Sequence, residues 1–107
     1  MIQKATVSRT ETYDRMTMTI KLPSGGSLKW IINRSGERME IAFSNDPAVL
    51  KRQCKIVKDY TDSLKGTHKE RFDQLEELAK MCQSGANLCD NMQAHIFSTQ
   101  IHPNAHR

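Results

Sequence analysis

Apolar and polar residues alternate along the stretch from Met16 to Phe43. Met16, Met18, Ile20 and Leu22 are separated by Thr17, Thr19 and Lys21. Leu28, Trp30 and Ile32 then share one parity, with Lys29, Ile31 and Asn33 on the other. Met39, Ile41 and Phe43 follow on one parity, with Arg38, Glu40 and Ala42 on the other. Successive side chains of a strand point to opposite faces, so a period of two predicts three half-buried strands. Pro23-Ser24-Gly25-Gly26 and Arg34-Ser35-Gly36-Glu37 separate them and carry turn chemistry, since Gly accepts the positive φ that tight turns demand. Connections this short permit only antiparallel pairing, because a parallel crossover needs a dozen or more residues. Ahead of this meander, residues 3–12 (QKATVSRTET) read as a polar edge strand. Ala5 and Val7 face in, and Lys4, Thr6, Ser8, Thr10 and Thr12 line the other side.

Beyond Phe43 the period changes to that of a helix. Asn45 or Asp46 caps a helix with Pro47 in its first turn, where a missing N–H costs nothing. This helix is expected over 46–65, with Val49, Leu50, Cys54, Val57 and Leu64 on its buried stripe, widened by Ile56 and Tyr60. Thr67 and Glu70 form a capping-box pair that opens a second helix over 67–84, with Phe72, Leu75, Leu78, Ala79 and Cys82 inward and Gly85 as its stop. Leu88, Met92 and Ile96 mark a third helix over 86–98 with poorer caps, and 102–107 are expected to form a disordered tail. The fold class that follows is α+β: a three- to four-stranded antiparallel meander (3–44) and two or three helices packed on one of its faces, together one domain over 1–101.

Composition adjusts this picture only modestly. The 107 residues suit one domain, and 37% hydrophobic with 26% charged is a globular balance. No run reaches the roughly 20 apolar residues that span a bilayer, and the N-terminus lacks the apolar core of a signal peptide. A cytoplasmic protein without a membrane partner is therefore expected. The odd number of cysteines, Cys54, Cys82 and Cys89, agrees with unpaired thiols in a reducing compartment. Charge is uneven: residues 1–58 hold 11 Lys/Arg against 5 Asp/Glu, and residues 59–107 hold 5 against 7. Positive charge thus gathers on the sheet and the first helix, where Lys51, Lys55 and Lys58 recur along one side.

No nucleotide-binding, zinc-protease or nucleophile-elbow motif is present. Ser24-Gly25-Gly26-Ser27 joins two strands instead of leading into a helix N-terminus, so it reads as a turn and not as a phosphate loop. Cys82, Cys89, His95 and His102 lack the tight pair spacings of zinc sites and are read as core thiols and ordinary histidines. No cofactor, metal or catalytic residue is expected.

What remains is surface. The order of strands, turns and capped helix, ending in IAFSNDPAV, is similar to that of the arm-type DNA-binding domains of phage integrases, in element order alone. The sequence reading is a non-enzymatic binding or regulatory protein of inhibitor or adaptor type, of a size common among phage or plasmid accessory proteins. It docks on a larger protein, with a homodimer compatible. A nucleic-acid-binding module using the basic sheet face and first helix is the alternative. The residues expected to make contact in either case are Lys21, Lys29, Ile31, Arg34, Arg38, Lys51, Lys55 and Lys58, with Ile31 as exposed apolar area.

Overall fold

In the computed structural model, which describes residues 4–105 and, near the C-terminus, side chains as far as Ser98, four strands precede three helices. The strands are β1 (Thr6–Thr12), β2 (Arg15–Lys21), β3 (Ser27–Asn33) and β4 (Gly36–Ala42). The helices are α1 (Pro47–Ser63), α2 (His68–Ala79) and α3 (Gly85–Ala105). Each strand pairs antiparallel with the next, giving one sheet in the order β1-β2-β3-β4. The α+β meander with helices on one face is the architecture that the alternation predicts.

The turns explain themselves locally. Gly36 closes the β3–β4 turn at φ 130°, a conformation that residues with a Cβ rarely adopt. Asp46 caps α1 by accepting a hydrogen bond from the Ala48 N–H at 3.0 Å. The Thr67 hydroxyl accepts from the Glu70 N–H at 3.1 Å while the Glu70 carboxylate accepts from the Thr67 N–H at 2.8 Å, completing the capping box. The bond from the Thr67 N–H, with the Thr67 hydroxyl beside it, holds the Glu70 carboxyl below its ordinary pKa.

The core lies between the sheet and the helices. Met18, Ile20, Leu28 and Trp30 from the sheet meet Val57, Tyr60, Phe72, Leu75, Leu88 and Met92 from the helices, all buried. Trp30 and Phe72 sit with ring centroids 4.8 Å apart. Two arginines flank this aromatic pair. Arg9 reaches in from β1 to Asp73 (2.6 Å) and Glu76 (3.1 Å) on α2, with its guanidinium 5.5 Å from the Phe72 ring centre. Arg71 lies 5.0 Å from the Trp30 ring centre and makes a two-point contact with Glu37, at 2.6 and 3.2 Å. Trp30 donates its indole N–H to the same carboxylate at 3.3 Å. The sheet is thereby tied to α2 at both edges by charge as well as by apolar packing.

Several boundaries differ from the sequence reading. The α1 stripe is turned toward Gln53, Val57, Tyr60 and Thr61, leaving Val49, Leu50 and Cys54 half-buried. Thr61 tolerates burial because its hydroxyl donates to the Val57 carbonyl at 3.0 Å. The second helix stops at Ala79, so Gly85 does not end it; Gly85 instead begins α3, after Ser84, whose hydroxyl accepts from the Asn87 N–H at 3.1 Å. Glycine is required there by a neighbour: a Cβ on Gly85 would lie 2.4 Å from the Cβ of Phe43. The third helix continues to Ala105, taking in part of the stretch expected as a tail, and residues 106 and 107 lie outside the described residues.

Candidate functional site

The helices cover one side of the sheet, and the other side is open. Strand register arranges its side chains in rows. Thr6, Lys21, Ser27 and Ala42 form one row across the four strands; Ser8, Thr19, Lys29 and Glu40 form the next. Thr10, Thr17, Ile31 and Arg38 follow, then Thr12, Arg15, Asn33 and Gly36. The face is a field of hydroxyls crossed by Arg15, Lys21, Lys29 and Arg38, with Glu40 as its single carboxylate. Glu40 is already engaged by Arg38 at 3.5 Å. Thr10, Thr12, Arg15, Thr17, Thr19 and Lys29 line a shallow depression of about 420 Å³.

The eight residues that the sequence marks for contact do not share one surface. Lys21, Lys29 and Arg38 fall on this open face. Arg34 stands at its end, in the β3–β4 turn, with its guanidinium 5.3 Å from the ring centre of Tyr13, which is 93% exposed. Lys51 and Lys55 are on the solvent side of the helix layer, and Lys58 lines a cleft between α1 and β4. The lysine stripe is also largely neutralised. Lys55 pairs with Asp59 at 2.7 Å and Lys58 with Asp62 at 2.8 Å, one helical turn on. The hydrogen bond to Asp62 raises the Lys58 pKa above its usual value.

Ile31 corrects the sequence reading outright. It is 1% exposed, although it points to the open face. It lies on an inner strand, directly opposite Thr17 on β2 and Arg38 on β4. It offers a partner no apolar area. Conversely, Arg15 belongs to the face and was missed, because the sequence reading starts the alternating stretch at Met16; β2 in fact begins at Arg15. Extending the alternation of Met16 and Met18 backward by one residue identifies it.

No group of three or more His, Cys, Asp or Glu side chains among the described residues could hold a metal ion. Cys82 is buried and donates to the Leu78 carbonyl at 3.3 Å. Cys89 is buried beside the Gln53 carbonyl, at 3.9 Å, and burial raises its thiol pKa to about 11. His95 packs edge-on against Tyr60, with ring centroids 5.4 Å apart. Both thiols thus occupy the positions of packed side chains.

A second concavity, about 490 Å³, lies between α1 and α3 and is lined by Ile56, Ile96 and Phe97, with Asp59, Gln93 and Ala94 at its margin. Phe97 is 63% exposed there. No helix among the described residues is long and apolar enough to cross a membrane. Set against known proteins, the chain matches no family model, no curated protein and no solved structure.

Proposed function

We propose that this chain is a binding module whose working surface is the open face of the sheet, and that its ligand is the phosphate backbone of a nucleic acid. One observation carries the reading: the face is built from cations and hydroxyls with a single, already paired carboxylate, and its only large apolar side chain, Ile31, is buried. Lysine and arginine neutralise phosphates, and threonine and serine hydroxyls donate hydrogen bonds to them. Lys21, Lys29 and Arg38 step diagonally across β2, β3 and β4, one strand and one row at a time. Sheet geometry puts about 8 Å between neighbouring steps, close enough to follow one backbone. Few aromatic rings are offered for stacking, which favours a duplex over unstacked single strands.

The test is fluorescence anisotropy with random duplex DNA and with single-stranded RNA across a salt series. Binding to duplex should weaken with salt with a log–log slope of roughly −3 to −4 for the cations on the face. Lys21→Glu and Lys29→Glu should each weaken it and flatten that slope, whereas Lys55→Glu should do neither. Absence of duplex binding at low salt defeats the proposal.

A second reading, docking on a larger protein, is favoured by a different observation. Exposed Phe97 beside Ile56 and Ile96 supplies apolar area of the kind found at the centre of protein interfaces. Phe97→Ser would abolish such docking and leave nucleic-acid binding untouched.

A further inference from the structure

Both edges of the sheet carry an inward charge engaged by α2, Arg9 on β1 by Asp73 and Glu76, and Glu37 on β4 by Arg71. On β4, every residue from Gly36 to Ala42 pairs one-to-one with β3, with no bulge and no proline. Among the described residues, no backbone hydrogen bond outside the helices and strands reaches it. Its outer N–H and C=O groups therefore present a straight, seven-residue template.

We propose that two copies of this chain pair through β4, antiparallel about a two-fold axis at Met39, joining their sheets into one. The charge pattern selects this partner and this register. With Met39 opposite Met39, Arg38 of each copy faces Glu40 of the other, and two complementary cross-strand pairs form on the open face. Pairing about Arg38 instead sets arginine against arginine, and pairing about Glu40 sets glutamate against glutamate. Registers shifted by an odd residue place inward side chains outward. Beside the strand, on its inner face, a cleft of about 320 Å³ between β4 and α1 is floored by Trp30, Met39, Ile41 and Cys54, leaving space where the two Met39 side chains converge. One ladder of this length falls short of the roughly 800 Å² per partner of a tight complex, so the dimer is weak and concentration-dependent.

Sedimentation equilibrium without nucleic acid tests this. The parent chain should shift from monomer to dimer as its concentration is raised to about 1 mM. Arg38→Glu presents two carboxylates per copy and Glu40→Arg two cations, so each should weaken self-association by about tenfold or more. Mixing the two variants should produce a heterodimer, and the double swap R38E/E40R should restore the parent's association; circular dichroism confirms that each variant is folded. A parent that remains monomeric overturns the proposal and leaves the β4 edge to a strand from another protein or to solvent. Association that survives both single changes, or a mixture that fails to pair, overturns it as well. The outcome is independent of nucleic-acid binding, which the measurement does not involve.

Discussion

Replacing Glu37 with alanine removes the acceptor shared by Arg71 and Trp30. The Arg71 side chain is only 12% exposed, whereas Glu37 is 37% exposed, so the change strands a nearly buried cation. The guanidinium loses bonds of 2.6 and 3.2 Å and keeps one, to the Thr61 carbonyl at 3.0 Å, together with its place over the Trp30 ring. Its Nε–H has no hydrogen-bond partner among the described residues even in the parent. Hydrogen bonds to charged groups contribute about 1.5–3 kcal/mol each, and water entering at the vacated position recovers part of that. The expected net loss is about 2 kcal/mol, or a thermal midpoint lower by roughly 10 °C for a domain of this size. Urea denaturation followed by Trp30 fluorescence measures it.

The pH dependence supplies a second check on the same residue. The hydrogen bond from Arg71 holds the Glu37 carboxyl below its ordinary value of 4.5 in the folded chain. A group depressed on folding stabilises above its unfolded-state pKa, and that contribution is lost as pH falls through the lower folded value. The gap between parent and Glu37→Ala should therefore be full at pH 7 and begin to close below about pH 4.5. A gap under about 0.5 kcal/mol at pH 7, or one unchanged at pH 3, would refute the assignment of stability to this contact.

Two further outcomes follow from packing. Gly85→Ala should destabilise by about 1–3 kcal/mol, since the new methyl meets the Cβ and Cγ of Phe43 at 2.4 and 2.6 Å and the Cβ, fixed to the backbone, cannot swing aside; an unchanged melting temperature would contradict this. In the folded chain at pH 8, half-buried Cys54 should be the fastest thiol to react with a disulfide reagent. Cys82 and Cys89, both buried and both with raised thiol pKa values, should wait for unfolding; three equally fast thiols would show that the core opens readily.

The sheet was legible in the sequence because one of its faces is buried and the other is not, and alternation records that difference directly. Ile31 was misjudged for a related reason. Alternation assigns a side chain to a face but does not set its exposure, and its cross-strand neighbours are known only once Thr17 and Arg38 are set opposite by register. Arg9 escaped notice because a charged residue at inward parity looks like a break in a pattern, and Glu37 because it reads as the end of a turn although β4 already includes it. Each is accommodated by a partner far along the chain, Asp73 and Arg71 respectively, and no local rule reveals such pairs. The lysine stripe could have been discounted earlier, since Asp59 and Asp62 stand one turn beyond Lys55 and Lys58. The binding face was half legible: its cations could be named from parity, but not that the helical lysines lie elsewhere.

The strictly sequential strand order also has a temporal side. Each hairpin closes between neighbours in the chain, so the sheet can assemble from local contacts as soon as residues 6–42 are available. The residues that cap its oily side arrive afterwards, with Phe72 and Leu75 on α2 and Leu88 and Met92 on α3. At translation speeds of about 5–20 residues per second, the roughly 50 residues from Ala42 to Met92 take several seconds to follow. For that interval Met18, Ile20, Leu28 and Trp30 stand uncovered on one side of the sheet. On the ribosome, the face rich in threonine, lysine and arginine is then the half of the sheet that water readily solvates while the hydrophobic half waits for its helices.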